Sequence, residues 1–199
     1  MKKIKKKIRR LGWFPSYQSF SELGIKGRRN DGLRYKYLDF SLCKDKVVAD
    51  YGCNLGQTSV KAAQAGAKNV IGMDSQEDTI STAIQIRKLL KINTVDYQII
   101  DFNDYDFDIK IRELFKVETP DISFFLSVYR TKELKDRDGL FKFIIEYTKE
   151  IIFFEGHSTR SIDTIEYYTE LFSKHQLNAD FLGYCQKDTR PLFLIKLSK

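Results

Sequence analysis

The residues that most plainly invite chemistry are Asp50, Gly52, Asn54 and Gly56, set at alternate positions in the stretch VVADYGCNLGQTS. The apolar run before them reads as a buried strand and the residues after Gly56 as a helix, so the four stand where a strand gives way to a helix. Glycines there let the backbone turn tightly and let a ligand approach the helix N-terminus with no Cβ in the way. A dinucleotide-binding loop needs the GxGxxG spacing to cradle a pyrophosphate, and that spacing is absent. The Asp50 carboxylate would repel a diphosphate but suits the ammonium group of an amino-acid moiety. A cationic nucleoside is therefore expected here rather than an anionic one.

The elements that must position this loop follow in a regular order. Strand-like runs at 47–51, 70–74, 95–100, 122–128 and 151–154 alternate with helix-patterned stretches at 57–65, 79–91, 134–148 and 163–175, with an acidic loop and short helix at 104–116. This alternation predicts a parallel sheet with helices on both faces. Asp163 and Glu166 have capping-box spacing at the start of the last helix. The alternation then breaks. Runs at 181–185 and 192–197 are separated by a turn too short for a helical crossover, so they must pair as an antiparallel hairpin. The expected fold is a doubly wound, mostly parallel seven-stranded α/β sheet ending in that hairpin. Residues 46–199 form the domain, and 1–45 form a basic tail and a segment covering the ligand-binding edge.

In this setting residues 50–56 resemble the DxGxGxG nucleotide loop of class I S-adenosylmethionine-dependent methyltransferases, with Asn54 at the position of the middle glycine. Asn tolerates left-handed backbone better than other residues with a side chain, so the turn survives the change. The resemblance extends to Asp74 in VIGMDS, which implies a carboxylate gripping the two ribose hydroxyls of the cofactor. It extends also to Asp101 and Phe102 in IIDFND, which implies contacts to the adenine. The terminal hairpin belongs to the same resemblance. In the segment before the sheet, Tyr17 and Arg34 are implied cofactor contacts, with Arg28, Arg29 or Arg34 holding the cofactor carboxylate. That segment is similar to the one in small glycan-modifying sugar O-methyltransferases and, more loosely, in wobble-uridine tRNA-modifying methyltransferases. The acidic run DFNDYDFD lacks the glycine and terminal glutamate of a calcium loop, and no metal is required by this chemistry.

Methyl transfer from a sulfonium is an in-line displacement that needs alignment and, for a hydroxyl acceptor, a base. His157, with Glu155 orienting it or acting in its place, is the expected catalytic pair beyond the fifth strand. Tyr129 and Arg130, beyond the fourth strand, are the expected acceptor contacts. His175 sits near a helix C-terminus, where it favours the dipole. The expected acceptor is a sugar hydroxyl of a glycan or nucleotide-sugar, with Trp13, Tyr17, Tyr129 and Tyr168 available for stacking. An RNA acceptor and a cofactor-binding module without catalysis remain as alternatives.

Charge bears on that choice. The net charge of +7 lies in the tail: the first ten residues hold seven basic side chains, without which the 34 basic residues fall to 27, equal to the acidic count. Three readings of the tail stand together: a solvated extension, attraction to a membrane surface, and contact with a polyanion such as RNA. There is no signal-peptide pattern and no long apolar run, which predicts a soluble cytoplasmic protein. The three cysteines, Cys43, Cys53 and Cys185, have no CxxC pairing and read as reduced thiols.

Overall fold

The computed structural model describes residues 6, 18–27, 31–157, 164–186 and 189–198. Seven strands, β1 (Val47–Tyr51), β2 (Asn69–Asp74), β3 (Val95–Ile99), β4 (Ile122–Leu126), β5 (Ile151–Glu155), β6 (Asn178–Gln186) and β7 (Thr189–Lys196), form one sheet. Their order is β3-β2-β1-β4-β5-β7-β6. The first five run parallel, and β7 lies antiparallel between β5 and β6. The expected seven-stranded sheet with its terminal hairpin is thus the observed one.

The central strands carry apolar residues on both faces because helices cover both. β1 and β4 are buried at every position. Val47, Ala49 and Tyr51 point to one core with Phe125, Phe141, Phe154 and Phe172. That core holds α4 (Phe107–Leu114), α5 (Arg137–Tyr147) and α6 (Ile165–Lys174) against the sheet. Val48 points to the other core with Val70, Ile80, Val95 and Phe124, beneath α2 (Gln57–Gln64) and α3 (Glu77–Leu89). The period-two alternation of side chains is what sorts one strand between two cores. A further helix, α1 (Asp31–Tyr37), lies against β6.

Several boundaries differ from expectation for visible reasons. β4 stops at Leu126 because Ser127 turns the chain with φ of 62°. α5 begins at Arg137, not 134, where the Asp136 side chain caps it by accepting from the Gly139 N–H. α6 is capped by Thr164, which accepts from the Tyr167 N–H; Asp163 of the expected capping box lies outside the described residues. β6 starts at Asn178 and carries a bulge between Phe181 and Gly183.

Register aligns the carboxyl ends of the parallel strands. Tyr51 stands opposite Met73 and Phe125, and Glu155 opposite Leu126 and Leu192. Since β7 runs the other way, its first residues arrive at this same edge.

Gly56 closes the turn after β1 with φ of 79°, and a Cβ there would fall 2.0 Å from the Tyr97 hydroxyl, which donates to the Gly56 carbonyl at 3.1 Å. Gly56→Ala should cost about 2 kcal/mol or more, read from the shift of the urea unfolding midpoint.

Candidate active site

A cleft of about 380 Å³ opens along the carboxyl edge of the sheet. Of the expected cofactor contacts, Arg34, Gly52, Asn54, Asp74, Asp101 and Phe102 line it, together with the catalytic candidate His157. Asp74 is held firmly: one carboxylate oxygen accepts from the Asn54 N–H at 3.0 Å and the other from the Gln76 N–H at 3.2 Å. Burial nonetheless raises its pKa above the ordinary value. Asn54 takes φ of 54°, and its own side chain accepts from the Leu55 N–H at 2.9 Å, so the residue that departs from the glycine pattern stabilises the turn it must make. At Gly52, φ is 70° and a Cβ would meet the Val128 methyl at 2.4 Å. Asp101 accepts from the Asn103 backbone and side chain, both at 2.9 Å, which fixes the wall beside Phe102.

Asp50 does not reach the cleft. Its carboxylate is buried behind the loop and accepts from the Ser59 hydroxyl at 2.6 Å. Burial pushes its pKa up to about 6, against the lowering effect of that hydrogen bond and of Arg34. The residue ties the first strand to α2 rather than presenting a charge to a ligand, because the side chain of a fully buried strand end has only the helix to face. Gly56 likewise stands behind the lining, as the cap of α2.

The other end of the cleft is built on Glu155, which has no solvent exposure. Arg34 grips it in a fork, Nη2 to Oε1 at 2.8 Å and Nε to Oε2 at 2.5 Å. The Ser127 hydroxyl donates to it at 2.6 Å, and the Arg190 guanidinium lies 3.7 Å away. Arg190 also donates to Ser127 at 2.8 Å. The Arg34 pKa is raised: burial alone would lower it, and the Glu155 charge more than reverses that. Glu155 is thus an ion-pair anchor, and its oxygens are committed to cations and a hydroxyl rather than to receiving a substrate proton. His157, half-buried two residues on, donates its backbone N–H to the Tyr168 hydroxyl at 3.3 Å.

The expected acceptor contacts sit elsewhere. Tyr129 is a core residue, 2% exposed, whose hydroxyl donates to Asp138. Arg130 lies over the Tyr167 ring at 5.2 Å. Neither lines the cleft, because the turn at Ser127 carries them away from it. Tyr168 is buried too, whereas Trp13, Tyr17, Arg28 and Arg29 lie outside the described residues.

Gln18, Ser127 and Arg190 line it as well; the sequence places Gln18 in the covering segment and Ser127 just beyond the fourth strand, but gives no signal for Arg190. Gln18 accepts from the Gln57 N–H and donates to the Cys53 carbonyl, both at 3.3 Å, clasping the loop. The adjoining Phe20, Leu23 and Ile25 pack with Leu55, Val60 and Ile86. Backbone strain marks the site: Asn54, Ser127 and Arg190 are three of the six described non-glycine residues with positive φ. Among the described residues there is no group of His, Cys, Asp and Glu side chains fit to hold a metal ion, and no helix long and apolar enough to cross a membrane.

No protein-family model matches the sequence. The chain is similar to Probable protein arginine N-methyltransferase 6 of Arabidopsis thaliana, 36% identical over 37% of this chain and 16% of that protein. It is also similar to Probable protein arginine N-methyltransferase 6.1 of Oryza sativa subsp. indica, 32% identical over 49% of this chain and 26% of that one. The matches thus span about a quarter or less of the length of these curated relatives. Among solved structures, magnesium protoporphyrin IX methyltransferase from Synechocystis PCC 6803 with bound SAM superposes with a TM-score of 0.65 at 15% identity, covering 96% of this chain and 97% of that one. The fold is the Rossmann-like fold of class I methyltransferases.

Two variants probe the buried charges. Glu155→Gln leaves two interior guanidiniums without their carboxylate and should lower stability by about 3 kcal/mol in urea unfolding. For Asp50, the folded chain keeps a proton that the unfolded chain releases, so its contribution to stability falls as pH rises from about 4 to about 6. Relative to wild type, Asp50→Asn should therefore gain about 2 to 3 kcal/mol across that window and stay level above it, measured by unfolding at pH 4, 5, 6 and 7.

Proposed function

We infer that the chain is an S-adenosylmethionine-dependent methyltransferase. One observation carries this reading: Asp74, pinned by two backbone N–H groups, faces a cleft with Gly52 and Asn54 on one side and Asp101 and Phe102 on the other. A carboxylate so held keeps lone pairs for two vicinal hydroxyls. At Gly52 the Val128 methyl takes the place a Cβ would need, so the turn after β4 packs directly on the loop backbone that faces the cleft. When bound, the cofactor supplies an electrophilic methyl on a sulfonium. The chain supplies the alignment.

The acceptor end lies beyond β1, over β4, β5 and β7, where Ser127, His157 and Arg190 line the cleft. With Glu155 engaged by two arginines, the base falls to His157, which lines the cleft and can take a proton on a ring nitrogen. A base of this kind serves a hydroxyl acceptor, and we take that acceptor to be a sugar of a glycan or nucleotide-sugar. The support from stacking is weaker than the sequence suggests, because Tyr129 and Tyr168 are in the core. Arginine, the acceptor named for the curated relatives, is a cation. It would meet Arg34 and Arg190 at this end of the cleft, a like-charge contact that weighs against it. The packing of residues 18–27 on the loop and of α1 on β6 favours their role as a cover for the ligand edge.

Calorimetry with S-adenosylmethionine and S-adenosylhomocysteine should give saturable binding, weakened about tenfold or more by Asp74→Asn. His157→Gln should leave that affinity within about twofold while lowering kcat by about a hundredfold. Transfer of labelled methyl to parallel panels of glycans, nucleotide-sugars, RNAs and peptides names the acceptor. No affinity for either cofactor form refutes the enzymatic reading.

A further inference from the structure

The cleft is electrically polarised. Asp74 and Asp101 line it at the ends of β2 and β3, and the loop after β4 adds Glu133, whereas its lining guanidiniums, Arg34 and Arg190, gather at Glu155 and Ser127 on the β4, β5 and β7 side. At that second end two buried guanidiniums flank the Glu155 carboxylate at different distances. Arg34 takes Glu155 in a fork at 2.5 and 2.8 Å and has the Asp50 charge behind it, while Arg190 approaches Glu155 only to 3.7 Å.

We propose that Arg190 is an oxyanion-binding residue of the acceptor subsite, so that the sugar receiving the methyl group carries a phosphoryl or carboxylate group. This rests on the cofactor reading above, which assigns β1, β2 and β3 to the nucleoside.

Five features support it. Arg190 is 8% exposed and lines the cleft, and a buried guanidinium favours a charged, planar or tetrahedral oxyanion it can bind through two N–H groups. It enters from β7, three strand positions from β1, so at about 4.8 Å per strand its backbone stands well away from the nucleoside loop. Its φ of 62°, directly before Pro191, is a conformation that non-glycine residues avoid and that a following proline disfavours further. The Ser127 hydroxyl, itself on a strained residue, accepts from Arg190 at 2.8 Å and fixes the direction of the fork. His157 lines the same end, so one acceptor can set its hydroxyl near the imidazole while its anion meets Arg190.

The test compares wild type, Arg190→Gln and the charge-keeping Arg190→Lys, each first checked for an unchanged far-UV spectrum. Inorganic phosphate is titrated calorimetrically into each protein, with and without saturating S-adenosylhomocysteine. Wild type should bind phosphate in both states, R190Q about tenfold more weakly, and R190K in between. Affinities for S-adenosylhomocysteine and for 5′-methylthioadenosine, which lacks the amino-acid group, should be the same in R190Q and wild type. Among acceptors, sugar phosphates and uronic acids should be turned over with a lower KM than the parent neutral sugars, and comparing these two anionic sets says which oxyanion the site prefers. The proposal falls if phosphate binding is absent or indifferent to R190Q, or if neutral sugars are methylated equally well. It falls also if R190Q loses S-adenosylhomocysteine but keeps 5′-methylthioadenosine, since Arg190 would then hold the cofactor carboxylate. If wild type binds phosphate through Arg190 but neither cofactor form, the oxyanion site stands and the methyltransferase reading fails.

Discussion

A carboxylate removed from water must be matched by cations, and the pairing of Glu155 with Arg34 organises the functional edge of this protein. Glu155 ends β5, Arg34 comes from α1 before the sheet begins, and Arg190 comes from β7 at its far side. Three segments remote in sequence are thereby fixed at one place. An interior ion pair contributes little net stability over apolar packing, because desolvation offsets most of the attraction. Its geometry is what matters: the fork of Arg34 leaves one acceptable position for α1, and Ser127 is drawn between the two guanidiniums. The end assigned to the nucleoside is made differently, with backbone N–H groups holding Asp74 and a side-chain amide of Gln18 clasping the loop. One end of the cleft is a matter of local turns, the other of long-range charge.

That difference explains what the sequence reveals. The strands and helices are legible because a sheet covered on both faces imposes apolar runs with turn signals between them, and β1 falls on the expected residues. Asp74, Asp101 and Phe102 are legible because strand ends put them at a predictable edge. Asp50 is misread because its spacing reveals the loop but not the direction of its side chain, which Ser59 captures. Tyr129 is misread for a related reason: the left-handed turn at Ser127 reverses which residues face the cleft. Arg190 stays hidden because it lies in a hairpin, where neither period nor motif points to it, and only the antiparallel insertion of β7 brings it to the site.

The same fold supports chemistry on very different acceptors, as protein arginine and porphyrin in the names of the relatives indicate. Fold alone therefore says little about what receives the methyl group. Under the proposed reading the acceptor falls to the far half of the cleft, where the guanidiniums, the serine between them and the imidazole form a distinct chemical environment.

The insertion of β7 between β5 and β6 also orders events in time. During synthesis β1 to β5 can find their neighbours as each emerges, but the edge of β5 stays unpaired until the following hairpin has been made and can dock through β7. The half of the pocket assigned to the nucleoside can thus take shape on a growing chain, whereas the half assigned to the acceptor cannot be assembled before the hairpin arrives. A truncated or stalled chain would carry an open sheet edge and no Arg190, and could grip a cofactor without being able to choose what to modify.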